Sequence, residues 1–345
     1  MRIDDKIYVA GHRGLVGGAI FRVLKRSGFT NIVTRTHEEL DLTDGSAVAR
    51  FFEAERPQHV FMAAARVGGI HANSVCPADF IRDNLLIQTH VIDNAWKTGV
   101  DRLMFLGSSC VYPKLAPQPI KEEYLLTGLL EGTNRPYALA KITGIESCWS
   151  YNRQHGTRFL ATMPTNMYGP GDNYHPENSH VIPALLRRFH EAKLSGAPEV
   201  MIWGSGTPRR EFLYSDDLAD ACLFLMTLDD ARYSTLLGSR NPEEFVPPLV
   251  NIGYGSDVTI RELAEMIAGV VGYEGRLAFD PSKPDGTPRK LMDSGKIAAL
   301  GWAPKVTLQQ GLRRAYEDFV IRQSPPSGER PTFNDPHVDR APPEA

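Results

Sequence analysis

The chain has no surplus of charge of either sign: 38 lysines and arginines stand against 41 aspartates and glutamates, a formal net charge of −3. A near-balanced surface exerts no global pull on nucleic acid or anionic lipid, so any anion must be held by a local cluster of residues. Cysteine is scarce as well. Cys76, Cys110, Cys148 and Cys222 are scattered without a C-x-x-C spacing, which argues against a zinc site and a disulfide framework and fits a reduced, cytoplasmic setting. No stretch approaches the roughly 18 apolar residues that a membrane helix needs. The N-terminus carries no basic segment followed by an apolar one, so no secretion signal is expected. No internal repeat is visible. Against these absences, 345 residues of which 42% are hydrophobic are enough for two domains with a large core and no cross-links.

Short apolar, β-branched runs alternate with amphipathic helical windows through the first half. Segments 7–10, 32–34, 59–63, 103–106 and 159–163 read as strands. Such alternation specifies an α/β fold, a Rossmann-type doubly wound parallel sheet covered on both faces, whose buried strands are almost continuously apolar. After Tyr168-Gly169-Pro170-Gly171 the strict alternation stops, and a smaller α/β domain is expected to begin. It has a helical window at 181–189, a strand-like 200–203 and a helix at 260–271 with Thr259 as its N-cap. The expected division is 1–171 plus about 211–256 for the first domain and about 172–210 plus 257–321 for the second. From Ser324 onward, six of 22 residues are proline and few are apolar, so this tail is expected to stay disordered.

The strand at 7–10 runs directly into Gly11-His12-Arg13-Gly14-Leu15-Val16-Gly17-Gly18 and then into a helical run. Glycines at 11, 14 and 17 permit a tight turn, close approach of backbone to a pyrophosphate and close helix–strand packing. The free N–H groups and dipole at the helix start favour the phosphate charge. A glycine-rich turn without a ligand has the same pattern, and the position after the first strand is what favours a dinucleotide. The second strand ends Thr34-Arg35-Thr36-His37, without the acidic residue that would hold the ribose hydroxyl of NAD. Arg35, Arg13 and His37 point instead to the 2′-phosphate of NADP. The competing arrangement leaves Arg35 in solvent and puts Glu38 or Glu39 on the ribose. Asp41-Leu42 lies where an adenine amino group would be received.

Tyr137 and Lys141 are four residues apart in a helical window whose buried side is marked by Ile142, Ile145 and Trp149. An i, i+4 pair shares one face, so the ammonium is expected close to the phenol. A tyrosine ionises at about pH 10. A neighbouring Lys⁺ and an oxidised nicotinamide are expected to bring it toward neutrality for acid–base work. Ser108 stands at the carboxyl end of the 103–106 strand, where ligands bind in open α/β sheets, and its hydroxyl suits a substrate carbonyl or carbinol. Ser108 and Ser109 otherwise only satisfy backbone groups in a turn.

Taken together, the glycine loop, Gly107-Ser108-Ser109, Tyr137-x-x-x-Lys141 and Pro164-Thr165-Asn166 resemble the extended short-chain dehydrogenase/reductase family acting on nucleotide sugars. Five further runs resemble its GDP-L-fucose synthase branch: Gly11-His12-Arg13-Gly14, Val67-Gly68-Gly69-Ile70, Gly107 through Lys114, Asn178-Ser179-His180-Val181-Ile182-Pro183 and Trp203-Gly204-Ser205-Gly206-Thr207-Pro208. The resemblance spans about residues 6–320. It implies NADPH-dependent conversion of GDP-4-keto-6-deoxymannose to GDP-L-fucose, by epimerisation at C3 and C5 and reduction at C4. It also implies catalytic roles for Ser108, Cys110, Tyr137, Lys141 and His180, with Cys110 and His180 as the proton-exchanging pair. Leu106, Gly107, Ser108, Ser109, Lys141, Pro164, Thr165, Asn166, Met167 and His180 would border the cofactor.

For the sugar nucleotide, the resemblance implies Arg188, Trp203, Arg210 and Asp285. Arg187 and Arg209 are adjacent decoys, and one of each arginine pair is expected to face solvent. A homodimer through helices 85–98 and 137–153 is implied too. Related dehydratases carry an Asp-Glu pair where this chain has Ser109-Cys110. Two alternatives stand beside this reading: a 4-epimerase or 4-reductase of another nucleotide sugar, and a non-catalytic NADP-binding regulatory protein. The intact set of five catalytic-type residues argues against the second.

Overall fold

Four apolar residues in a row cannot present a polar face, and Ile7–Ala10 (β1) is accordingly buried along its whole length, as are His59–Met62 (β3), Arg102–Leu106 (β4), Phe159–Pro164 (β5) and Leu249–Ile252 (β9). With the two-residue Ile32–Val33 (β2), they form one six-stranded sheet of order β2-β1-β3-β4-β5-β9, every pairing parallel. The computed structural model describes residues 1–68, 73, 75–176, 179–241, 243–283 and 285–323. The proline-rich tail, Gly69, Ile70 and Asn178 lie outside the described residues.

Helices Leu15–Arg26 (α1), Gly45–Glu55 (α2), Pro77–Lys97 (α3) and Arg135–His155 (α4) follow β1 to β4 in turn. Val48, Phe52, Val91, Ile92, Ile145 and Cys148 fill one face of the sheet. The other is covered by Ile20, Val23 and Leu24 of α1 with Leu218, Cys222 and Leu225. Both long helices start earlier than the 85–98 and 137–153 windows suggested, because Pro77 and Pro136 stand in their first turns, where a missing N–H is harmless. The strand order reverses between β1 and β3, and that crevice at the carboxyl edge is where ligands of such sheets bind.

A third core joins Ile182, Leu186 and Phe189 of Val181–Ser195 (α5) to Leu263, Ile267, Leu312 and Phe319. Around it lie Asn166–Tyr168 (β6), Glu199–Trp203 (β7), Arg209–Tyr214 (β8), Asp257–Thr259 (β10), Arg276–Asp280 (β11) and Arg289–Lys290 (β12). Strand β8 takes β10 antiparallel on one side and β12 parallel on the other, and it also meets β6. It then enters helix Ser215–Thr227 (α6), which packs with α1 on the large sheet. The helix expected at 260–271 is Ile260–Val271, and Thr259 caps it in a reciprocal box: Thr259 Oγ1 accepts from the Glu262 amide at 3.0 Å, and Glu262 Oε2 accepts from the Thr259 amide at 2.7 Å.

Gly144 in α4 packs directly on the Phe105 ring of β4, and a Cβ there would lie 2.2 Å from Phe105 Cζ. Gly144→Ala should therefore force helix and strand apart and destabilise the fold by about 1–3 kcal/mol, the usual consequence of overpacking. Urea unfolding of both proteins measures it, and an unchanged midpoint would refute the close contact.

Candidate active site

Gly11 adopts a left-handed backbone (φ 83°), and a Cβ there would sit 2.7 Å from the amide nitrogen of Ala64. A Cβ on Gly17 would fall 2.1 Å from the Gly11 carbonyl oxygen. Only glycine lets α1 approach β1 and β3 this closely. Gly14 caps α1 without a side chain, and no acidic residue occupies the first turn, which leaves the amides of the half-buried Leu15 and Val16 and the helix dipole to an anion. His12 Nδ1 is buried without a hydrogen-bond partner. These features fit a dinucleotide pyrophosphate.

At the end of β2, Arg35 is not in free solvent. Its Nη1 donates to the Thr34 carbonyl at 2.8 Å, its Nη2 to Glu55 at 2.5 Å, and its guanidinium covers the Phe51 ring at 5.4 Å. Arg13 is exposed nearby, and both arginines act on Glu39, whose carboxyl is held below its ordinary range chiefly by the Thr36 amide. His37 is exposed. Asp41 bends the chain by accepting from the Thr43 amide and hydroxyl, both at 2.8 Å, while Leu42 is buried and its carbonyl meets His90 Nδ1. Both bonds fall on Oδ1, and the side chain remains partly open to solvent.

The chemistry-bearing residues converge at the end of β4. Gly107 packs so tightly that a Cβ would overlap Met163, and Ser108 caps the single turn Ser109–Val111 by accepting from the Cys110 amide at 3.4 Å. That turn aims the Cys110 thiol back toward the Ser108 hydroxyl, while Ser109 is buried beneath it. Helix α4 brings Tyr137 to the same hydroxyl. Lys141 is only 4% exposed; its Nζ donates to the Leu106 carbonyl at 2.7 Å and lies 5.8 Å from the Tyr137 ring.

Burial dominates the protonation of these groups. Burial raises the pKa of the Tyr137 phenol above the ordinary value, with the nearby Cys110 adding to the rise and Ser108 opposing it. The hydrogen bond of Lys141 goes to Leu106, and burial lowers its own pKa to about 8. Tyr137 is thus a protonated acid in the protein as it stands. The Cys110 thiol is pushed up by burial too, against the pull of Lys290, Ser108 and Lys141.

His180 caps α5 from outside the turn. Its ring has no hydrogen-bond partner among the described residues; the residue keeps a face open to solvent, and the protein around the rest of the ring lowers its pKa. Pro164 ends β5, Thr165 is buried, Asn166 Nδ2 donates to the Glu211 carbonyl at 2.8 Å, and Met167 packs on the core beneath α6.

On the opposite wall, Arg188 covers the exposed Trp203 ring at 5.3 Å and Lys283 covers it at 5.6 Å. Arg210 donates to two main-chain carbonyls, those of Arg209 and Asp285. Neither arginine of either pair simply faces solvent, as was expected of one in each. Arg187 is half-buried beside Glu191, and Arg209 is bound to Asp257 at 2.7 Å. Asp285, expected on the substrate, instead accepts from the Ser205 amide and hydroxyl at 2.7 and 2.8 Å, so it fixes the turn that follows Trp203.

Lys290 escaped the sequence reading. It faces Arg210 across the β8–β12 pairing, and its ammonium acts on Cys110. Arg188, Arg210 and Lys290 all have pKa values lowered mainly by burial, and none is in an ion pair among the described residues. Glu191, Asp285 and Glu131 act on them in turn only from beyond ion-pair distance, and partly desolvated cations without an ion pair among the described residues suit an anionic ligand. A lone lysine in a short strand carries no motif, and the cationic tail of the 283–290 segment was the only available signal.

Residues 7–238 match the model of the NAD dependent epimerase/dehydratase family. Among curated proteins, GDP-L-fucose synthase 1 of Arabidopsis thaliana is 60% identical over 315 residues, covering 91% of this chain and 93% of that protein. The GDP-L-fucose synthase of Escherichia coli (strain K12) is 53% identical over 319 residues, 92% of this chain and 98% of that one. A solved structure, the GDP-mannoheptose C4 reductase from Campylobacter jejuni with NADP bound, is 40% identical with a TM-score of 0.83, covering 93% and 99% of the two chains. The chain belongs to the NAD dependent epimerase/dehydratase family and, within it, to the GDP-L-fucose synthases.

Proposed function

We propose that this protein converts GDP-4-keto-6-deoxy-D-mannose to GDP-L-fucose with NADPH, epimerising C3 and C5 before reducing the C4 ketone. The observation that carries the reading is the gathering of Ser108, Cys110, Tyr137 and Lys141 at the end of β4, together with Arg188, Arg210 and Lys290, three cations in no ion pair among the described residues. The loop Gly11–Gly17, Arg13 and Arg35 hold the cofactor, which when bound supplies hydride to C4. Arg188, Arg210 and Lys290 take the GDP pyrophosphate, and Trp203 and Asp285 shape the wall beside it.

Protons at C3 and C5 are acidic because each lies α to the C4 carbonyl. The Ser108 and Tyr137 hydroxyls donate to the carbonyl oxygen and stabilise the enolate. Cys110 carries a proton and His180 is neutral, so the pair can take a proton from one face of the ring and return one to the other. Tyr137, kept protonated by burial, then delivers its proton to the C4 oxygen as hydride arrives at carbon. Lys141 fixes the floor beneath the phenol. A 4-reductase acting on a sugar that needs no epimerisation is the second reading, favoured by the likeness to the C. jejuni reductase. The thiol of Cys110 is surplus to such an enzyme. We infer further a cytoplasmic homodimer built on α3 and α4, where Leu86 and Leu139 are exposed.

Incubation with GDP-4-keto-6-deoxymannose and NADPH, with the product's C3 and C5 configuration read by NMR, separates the readings. A product unchanged at both carbons would select the reductase, and absence of NADPH oxidation would select a non-catalytic protein.

In Cys110→Ser, deuterium incorporation from solvent at C3 and C5 should collapse, because a hydroxyl is a poorer proton donor than a thiol and its anion is harder to form. NADPH binding should persist. Exchange at the wild-type rate would return Cys110 to a packing role.

Tyr137→Phe removes one hydroxyl and should lower the rate of reduction by about 10²–10⁴-fold, with little change in NADPH affinity. Unaltered turnover contradicts the acid role.

Arg35→Ala should raise the Michaelis constant for NADPH more than that for NADH. Equal losses would mean that Glu55 keeps Arg35 away from the 2′-phosphate.

A further inference from the structure

Glu211 is fully buried within β8, opposite Asp257 of β10 and four residues before α6. A carboxylate in such a place is expensive unless its oxygens are satisfied. Oε1 accepts from the Gly255 amide at 2.7 Å, and Oε2 accepts from the Met292 amide at 2.9 Å. The first donor lies in the turn between β9 and β10, the second two residues beyond Lys290. Gly253 closes over the group, and a Cβ there would fall 2.4 Å from Oε1. The main-chain carbonyl of the same residue accepts from Thr165 Oγ1 at 3.2 Å and Asn166 Nδ2 at 2.8 Å. One residue thus meets the cofactor edge through its backbone and the sugar-nucleotide wall through its side chain.

We propose that Glu211 is a positioning residue, its carboxylate setting Lys290 and Arg210 at the spacing that receives the GDP pyrophosphate. Arg210 is its chain neighbour, and Lys290 is the register partner of Arg210 across β8 and β12. The amide of Met292 is therefore the point from which the short β12 strand is held in line. Two converging N–H donors require an acceptor at both oxygens. A glutamine would turn an NH₂ group toward one of them, and an aspartate falls one methylene short of spanning both.

The inference rests on the GDP-sugar reading and separates two ligands. In Glu211→Gln the main-chain carbonyl is retained, so the Thr165 and Asn166 contacts persist and NADPH affinity should stay near the wild-type value. GDP affinity should fall by about ten- to hundredfold, the effect expected when a hydrogen bond to a charged group is lost. The Michaelis constant for the sugar nucleotide should rise more than the turnover number falls. NADPH fluorescence titration, calorimetry with GDP and steady-state kinetics on the full chain give the three readouts. Gly253→Ala, which displaces the same carboxylate from the other side, should give the same split. A merely structural role predicts matched losses of NADPH and GDP, or lowered thermal stability with both affinities kept; either result overturns the proposal, as does failure of both variants to fold. Wild-type protein that does not bind GDP would overturn the underlying functional reading instead.

Discussion

The bond from the Lys141 ammonium to the Leu106 carbonyl is the constraint around which the reacting groups are arranged. It joins the middle of α4 to the last residue of β4 in a place almost closed to water, and it acts where the carbonyls of a parallel strand run out of ladder partners. With that contact made, Tyr137 one turn earlier must stand over Ser108, and the single turn carrying Cys110 must pass beneath it. The close packing of Gly144 on Phe105 serves the same end, since a larger side chain would lift the helix away from the strand, and that of Gly107 on Met163 holds the end of β4 against β5.

Desolvation then decides the protonation of the group. Tyr137 and Cys110 are pushed toward their neutral forms by the same burial that weakens the proton's hold on Lys141. Within the protein itself, burial favours the intact phenol. The consequence is a site stocked with proton donors before the ketone enters, which suits stabilising an oxyanion better than abstracting a proton from a carbinol.

Much of this arrangement is legible in the chain. The strands from Ile7, His59 and Leu103 announce themselves by unbroken apolar runs, and Thr259 with Glu262 marks a helix start to the residue. The glycine loop and the Tyr137–Lys141 spacing are likewise local patterns, visible without any knowledge of tertiary contacts. What remained hidden depends on partners distant in sequence. Nothing near Arg35 tells that Glu55, twenty residues on, will bind it. Asp285 looks like a ligand until Ser205, eighty residues earlier, is found against it. Lys290 has no surrounding motif, and its importance follows only from the strand pairing that sets it beside Arg210. Charge compensation is a property of the assembled surface, and it cannot be read from spacing.

Trp203 gives the molecule an optical character. Of the four tryptophans, Trp149 and Trp302 are buried in the core and Trp96 is stacked on His155, while Trp203 is 61% exposed between two cations. Its indole is therefore the emitter most open to quenching and to changes in solvent polarity. The wall where the anionic ligand would settle thus carries a built-in fluorophore, and filling of that wall should be visible in the protein's own emission without any added dye.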